Sequence, residues 1–214
     1  MTDHTTLFKS VQNGMLSLGL PADLSVCEKF TAYLLELERW NRRFGFVKAD
    51  LDELVARHLV DSLAGLPIVR EAVPAGTVLD FGSGAGFPGL PLAVCCPERS
   101  FILCERKAKE RAFLQNMAAL LGLRHVRVAG DLAEIAPVSV EAVVSRAVAG
   151  LCDLFSAVSE TLTPGGKLLA YKGTRAKIEE EAAACAALGL EVWVHPLRIP
   201  NDDRERHIVE VRRR

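Results

Sequence analysis

Thr77-Val78-Leu79-Asp80-Phe81-Gly82-Ser83-Gly84-Ala85-Gly86-Phe87-Pro88-Gly89 is the stretch that decides how this chain folds. A short apolar run ends beside an acid and breaks into a glycine-rich turn. Such a turn needs residues that tolerate positive φ and let a ligand approach the backbone, and glycine does both. Pro88 suits the first turn of a following helix, where its missing N–H costs little. In open α/β sheets, ligands bind at the carboxyl ends of the strands, beside turns of this kind. Gly84-x-Gly86-x-x-Gly89 also matches the GxGxxG pattern of dinucleotide-binding loops, a weak signal by itself.

Working outward from this turn, further short apolar runs lie at 101–104, 126–128, 142–144 and 167–171. Helical patterns separate them at 108–121, 151–162 and 177–188. Strands alternating with helices predict βαβ units and a parallel sheet. Residues 190–195 and 207–212 are strand-like runs joined by a polar loop without a helix, so they are expected to pair antiparallel. Upstream, Leu24, Cys27, Phe30, Tyr33, Leu34 and Leu37 recur at amphipathic-helix spacing, and Leu51, Leu54, Val55, Leu59 and Leu63 repeat the pattern. The expected architecture is a doubly wound, Rossmann-like α/β sheet of about seven strands, with its last pair antiparallel and an N-terminal helical cap. The boundary falls between a cap at 1–72 and a sheet domain at 73–214. No linker rich in Gly and Ser separates them, so the cap should pack on the sheet.

The 214 residues are 50% hydrophobic and 25% charged, with a formal net charge of −1, which excludes a disordered chain. That charge argues against indiscriminate coating of nucleic acid, yet leaves room for a local basic face. No apolar run is long enough to span a bilayer, and Met1-Thr2-Asp3-His4 lacks the basic start of a secretory signal. Cys27, Cys95, Cys96, Cys104, Cys152 and Cys185 show neither a CxxC pair nor zinc-type spacing. We therefore expect no metal, a reduced protein and a cytoplasmic location.

The loop gains meaning from the acids around it. Glu105 closes the second strand about 20 residues beyond the loop, where a carboxylate can accept two hydrogen bonds from a ribose diol. Asp131 follows the third strand in Ala129-Gly130-Asp131-Leu132-Ala133. The glycines begin at Gly82, directly after the acid-bearing strand, giving Asp-x-Gly-x-Gly-x-Gly. This resembles motif I of class I S-adenosylmethionine-dependent methyltransferases, in which the acid and loop hold the methionine part of the cofactor and the turn after the third strand lies beside adenine.

Other segments narrow the resemblance. Arg57-His58-x-x-Asp61-Ser62-Leu63, Phe87-Pro88-Gly89, Ser145-Arg146-Ala147, Tyr171-Lys172-Gly173 and Glu205-Arg206-His207 follow in order along nearly the whole chain. Together they resemble the glucose-inhibited division protein B family, the small-subunit ribosomal RNA methyltransferases G. That resemblance implies methyl transfer from S-adenosyl-L-methionine to N7 of a guanosine in the decoding-site hairpin of 16S ribosomal RNA. It implies cofactor contacts at Gly82 and Phe87, at Leu132 and Ala133 near adenine, and at Arg146; Gly84 and Glu105 complete the cofactor side. The partner is 16S RNA or a small-subunit precursor, with no obligate protein partner evident. One departure stands out: Trp40-Asn41 is followed by Arg42-Arg43-Phe44-Gly45-Phe46-Val47, where the family has Asn-Leu-Thr, so no side-chain role transfers there.

Guanine N7 carries a lone pair and no proton, so its methylation needs alignment and dryness but no general base. The sequence accordingly names no catalytic side chain. Lys172, Arg57 and His58 are candidates for the RNA side; Arg57, His58 and Asp61 share one helix face, where a salt bridge holding the cap to the sheet is an equal reading. Basic clusters at Arg39-Trp40-Asn41-Arg42-Arg43, Arg106-Lys107-Ala108-Lys109, Arg124-His125-x-Arg127 and Lys172-x-x-Arg175-x-Lys177 are further candidates for phosphates. The competing readings are a nicotinamide-dependent oxidoreductase built on the GxGxxG match, and a non-enzymatic nucleotide- or RNA-binding module.

Overall fold

In the computed structural model, which describes residues 4–146, 149–200 and 202–214, Thr77–Phe81 is strand β1 at the heart of a seven-stranded sheet. The other strands are β2 (Ser100–Cys104), β3 (Val126–Ala129), β4 (Val140–Arg146), β5 (Leu162–Lys172), β6 (Leu190–Pro196) and β7 (His207–Arg213). Their order is β3-β2-β1-β4-β5-β7-β6. β1 through β5 run parallel, and β7 is antiparallel to both β5 and β6. The doubly wound sheet and its antiparallel tail thus form as the alternation of runs predicts.

The period-two pattern of the central strands divides the core. Val78, Leu103, Val144 and Leu169 face one apolar cluster, while Leu79, Ile102, Val143 and Leu168 face the other. Burial on both faces explains why these strands read as continuous hydrophobic runs. Helices α1 (His4–Ser17), α2 (Leu24–Phe44), α3 (Leu51–Glu53), α4 (Val60–Ala64), α5 (Leu66–Ala72), α6 (Gly89–Cys95) and α7 (Ala108–Leu120) contribute to the first cluster. Helices α8 (Leu151–Val158) and α9 (Arg175–Ala187) cover the second. Cap and sheet therefore share one apolar core.

Two elements differ from the pattern. The segment expected to be helical to 162 leaves the helix at Val158, makes a 3-10 turn at Ser159–Thr161 and enters β5 at Leu162. Thr163-Pro164-Gly165-Gly166 explains this, since proline and paired glycines cannot extend a helix and Leu162 instead pairs with Val140. Between α3 and α4 the chain is π-helical at Leu54–Leu59, with Val60 N–H bonded to Val55 O. This wider turn carries Arg57 and His58, and such turns concentrate at functional sites. Ala147, expected beside Arg146, lies outside the described residues.

Polar ties join cap to sheet. Tyr33 of α2 donates to the Ala85 carbonyl at 2.6 Å, and Tyr171 of β5 donates to the Ser62 carbonyl at 2.9 Å. Gly65 sits where Tyr171 passes: a Cβ there would stand 2.3 Å from the Tyr171 hydroxyl and 2.5 Å from Ile208 Cδ1. Gly65→Ala is therefore expected to destabilise the protein by about 1–3 kcal/mol through overpacking. Urea unfolding checks this, and an unchanged midpoint would contradict tight docking of the cap on the sheet.

Candidate functional site

The glycine loop leaves β1 and is pinned from both sides. Gly82 N–H and Ser83 N–H both donate to Cys104 O at the end of β2, at 2.9 and 3.1 Å. Gly82, Gly84 and Gly86 adopt φ of 78°, 54° and 100°, a region closed to most side chains. A Cβ on Gly86 would meet Leu90 Cδ1 at 2.4 Å, whereas one on Gly84 would meet nothing nearer than Gly82 O at 4.0 Å. Gly86 thus serves packing, and Gly84 presents open backbone.

Asp80 holds the loop from beneath. It is fully buried, and its Oδ2 accepts the Gly89 N–H at 3.0 Å where α6 begins. Its Oδ1 has no partner. Burial pushes the carboxyl up to about 7, against the opposing pull of the Ser83 hydroxyl, the Gly89 N–H and Arg146. The motif resemblance implies that this acid, with the loop, holds the methionine part of the cofactor. In the structure Asp80 supports the loop from behind and does not face solvent, so it would hold the cofactor through the loop it anchors.

Glu105 faces the loop from above. Its Oε2 accepts Gly84 N–H and its Oε1 accepts Lys107 N–H, both at 2.9 Å. The residue is half-exposed, and each oxygen retains a lone pair. At the end of β3, Asp131 accepts the Glu134 N–H at 3.1 Å and Glu134 accepts the Gly130 N–H at 2.8 Å, shaping the turn that presents Leu132 and Ala133. A hollow of about 350 Å³ lies there between Arg106, Arg111, Gly130, Asp131 and Glu134. These residues fit an adenosine bearing an amino-acid tail: a Cβ-free glycine edge, a carboxylate with lone pairs left for a diol, and a hollow beside the turn that carries Leu132 and Ala133. They fit because a Cβ-free edge and unfilled acceptor sites meet at the ends of three adjacent strands.

On the other flank Arg146, at the end of β4, joins loop to cap. Its guanidinium lies 5.2 Å from the Phe87 ring centroid and donates to His58 Nδ1 at 2.9 Å. Arginine can only donate, so Nδ1 is the acceptor and the imidazole proton sits on Nε2. Burial lowers the His58 pKa to about 4, helped by Arg146, Arg57 and Arg204, so the ring is neutral at physiological pH. Phe87 itself is buried between Tyr33 and His58, with ring centroids 5.3 and 5.2 Å away. Any contact it offers a cofactor is through its backbone.

Asp61 is bracketed by two arginines, Arg146 at 3.4 Å and Arg206 at 2.7 Å. Beside this trio opens a cavity of about 740 Å³ lined by Arg57, Asp61, Arg146, Tyr171, Lys172, Lys177, Arg206 and the 149–150 and 173–174 backbone, among others. Lys172 bonds Ala149 O and Glu181, each at 2.8 Å, which ties β5 to α9 and the loop before α8. Arg57 is more open and pairs with Glu53 at 2.8 Å. Asn41 clamps the following turn by accepting from Val47 N–H at 2.8 Å and donating to Val47 O at 2.5 Å.

Sequence reasoning passed over Tyr33, Glu181 and the bracketing of Asp61 by Arg206. Tyr33 lies on an apolar helix face and reads as core; Glu181 sits in a glutamate run that looks solvated. Arg206 was legible as part of Glu205-Arg206-His207, but its partner is far away in the chain. Among the described residues, no group of three or more His, Cys, Asp or Glu is placed to hold a metal ion, and no helix is long and apolar enough to cross a membrane.

Comparison with known proteins agrees with this geometry. The profile of the family described as rRNA small subunit methyltransferase G matches residues 26–209. The ribosomal RNA small subunit methyltransferase G of Cellvibrio japonicus (strain Ueda107) is 35% identical over 210 residues, spanning 96% of this chain and 95% of that protein. Its namesake in Xanthomonas campestris pv. campestris (strain 8004) is 36% identical over 205 residues, spanning 94% and 93%. Among solved structures, ribosomal protein L11 methylase from Lactobacillus delbrueckii subsp. bulgaricus aligns with a TM-score of 0.57 at 17% identity, covering 74% of this chain and 79% of its own. A SAM-dependent methyltransferase from Thiobacillus denitrificans, in complex with S-adenosyl-L-homocysteine, aligns at 0.52 with 16% identity, covering 70% and 90%. At those identities the two structures speak to the fold.

The buried Asp80 makes a pH prediction. An unfolded aspartate titrates near 3.9 and the folded one near 7, so between these values the native state binds more protons. Its contribution to stability therefore falls as pH rises across that window. Asp80→Asn keeps the acceptor for Gly89 N–H and removes the charge. Relative to wild type, the variant is expected to gain stability from about pH 4 to pH 7 and then level off. Urea unfolding of both proteins across that range checks this; His58, common to both, cancels. A constant difference would contradict the buried, unpaired carboxyl.

Proposed function

The chain belongs to the rRNA small subunit methyltransferase G family, and from that footing we propose that it transfers the methyl group of S-adenosyl-L-methionine to N7 of a guanosine in the decoding-site hairpin of 16S ribosomal RNA. The observation that carries this reading is the position of Arg146. It lies over Phe87 of the glycine loop and also lines the cation-rich cavity. Cofactor side and acceptor side thus meet at one residue.

When bound, S-adenosyl-L-methionine supplies a methyl group activated by a sulfonium. Gly82 and Gly84 would give it a Cβ-free backbone edge, Glu105 would take the ribose diol with its remaining lone pairs, and Leu132 and Ala133 would flank the adenine. Arg146 closes the cradle toward the acceptor. The cavity admits the guanosine, and Arg57, Lys172 and Lys177 at its rim meet RNA phosphates. Lys172 acts from within its ion pair with Glu181, so its share is largely positional.

No proton has to leave N7, and His58 behind Arg146 agrees with that: it accepts from Arg146 and stays neutral. His58 is then a positioning residue for Arg146. Alignment and exclusion of water supply the rate, a contribution on the order of 7–11 kcal/mol in well-oriented systems. In this reading residues 1–72 cap the acceptor side and 73–214 hold the cofactor. A ribosomal substrate also supports a cytoplasmic location.

The nicotinamide reading of the GxGxxG match is withdrawn, because family membership points to methyl transfer. Its register also fails: the turn begins at Gly82, ahead of the match, and α6 starts only at Gly89.

Labelled methyl transfer to small ribosomal subunits tests the proposal directly. Wild type is expected to incorporate label, with a single-turnover rate constant within about twofold from pH 8 to 9, above the titration of Asp80, because no general base titrates. Absence of transfer to subunits and to 16S RNA alike would favour a non-enzymatic module. A steep rise in rate with pH across that range would contradict base-free attack.

A further inference from the structure

At the end of α2 an aromatic turn stands apart from the site just described. Phe44 and Phe46 stack with centroids 5.7 Å apart and planes inclined by 13°. Trp40 lies 5.5 Å from Phe44, and both Trp40 and Phe46 lean on the buried Phe113, at 5.5 and 5.6 Å. Phe44 does not reach the core cluster and is half-exposed. The turn is rigid: Gly45 closes α2 at φ 66° with its N–H on Asn41 O, and the Asn41 side chain clamps Val47.

Two cations attend this ring. Arg43 and Lys109 each lie 5.3 Å from the Phe44 centroid. Both side chains are exposed, and neither forms an ion pair among the described residues. The neighbouring Arg39 and Arg42 are by contrast matched by Glu36 and Glu38. Lys109 lies in the first turn of α7, four residues after Glu105.

We propose that the Phe44–Phe46 turn is a stacking platform for an unpaired base of the RNA substrate, with Arg43 and Lys109 swinging from the ring to the flanking phosphates. Two unmatched cations beside a half-exposed π face suit a polyanion that carries flat bases. An apolar protein partner would leave those charges desolvated and unpaired. Stacking on aromatic rings tolerates any base, so the platform supplies affinity and the acceptor cavity supplies the choice of nucleotide. This compensates for a net charge of only −1, which gives little general attraction to RNA. The inference rests on the ribosomal RNA reading above and adds a second contact region to it.

The test compares wild type, Phe44→Leu and Phe44→Trp in methyl transfer to small subunits, with S-adenosylhomocysteine affinity measured by calorimetry. Leucine keeps the apolar bulk and loses the π face; tryptophan restores it. Phe44→Leu is expected to raise KM for subunits about tenfold, with kcat and S-adenosylhomocysteine affinity unchanged, and Phe44→Trp to return KM to the wild-type value. Filter binding of naked 16S RNA should show the same order. If wild type is active and Phe44→Leu matches its KM, the platform is refuted while the functional reading stands. If the loss appears with subunits but not with naked RNA, the face docks a protein and the proposal is overturned. If wild type transfers no methyl group to either RNA form, the functional reading itself fails, and this one with it.

Discussion

The whole site hangs on one buried carboxylate. Asp80 stands at the end of β1 with no solvent around it and accepts the N–H of Gly89. That single bond ties the last residue of the loop to the strand it left, and it fixes where α6 can start. Burying a carboxyl is costly, and the upward pKa shows that the cost is partly avoided by protonation. Small residues are required around it for the same reason: a Cβ on Gly89 would stand 2.5 Å from Asp80 Oδ2. With the loop held from behind, its outer edge at Gly84 is left bare, and Glu105 closes over it.

The cap supplies the second constraint. Tyr33 grips the loop carbonyl of Ala85, and Asp61 sits between an arginine from β4 and one that precedes β7. Ion pairs on a buried carboxylate contribute little to net stability, and their use here is geometric. They hold three distant parts of the chain at one point, where the glycine loop and the cation-lined cavity touch. A neutral His58 completes the arrangement by receiving one Arg146 N–H in a fixed tautomer. The result is a site that orients without proton transfer, as methylation of an unprotonated ring nitrogen requires.

Much of this was legible in the chain itself. The alternation of apolar runs with helical periods gives the sheet order its parallel part, and the helix-free link between 195 and 207 gives the antiparallel tail. The glycine loop and Glu105 were readable because their chemistry is local: a turn needing positive φ, and an acid at a strand end. What stayed hidden depends on partners far apart in sequence. Lys172 reads as a free cation until Glu181 arrives from α9. That the Phe87 ring packs between Tyr33 and His58 is likewise invisible in its neighbours. Asp80 reads as the acid of the loop motif, and nothing in its neighbours announces that it points inward. The π-helical turn at Leu54–Leu59 also leaves no local mark, because the apolar spacing of that segment suits an ordinary helix equally well.

The central claim is that this pocket directs a methyl group to a ring nitrogen that carries no proton. Strand scission after borohydride reduction and aniline treatment cleaves RNA at 7-methylguanosine, so small subunits methylated by this protein report the atom and the position together. The account predicts one new break, at a single guanosine of the decoding-site hairpin. Methylated subunits that resist scission, with the label instead on an exocyclic amine or a ribose, would contradict it.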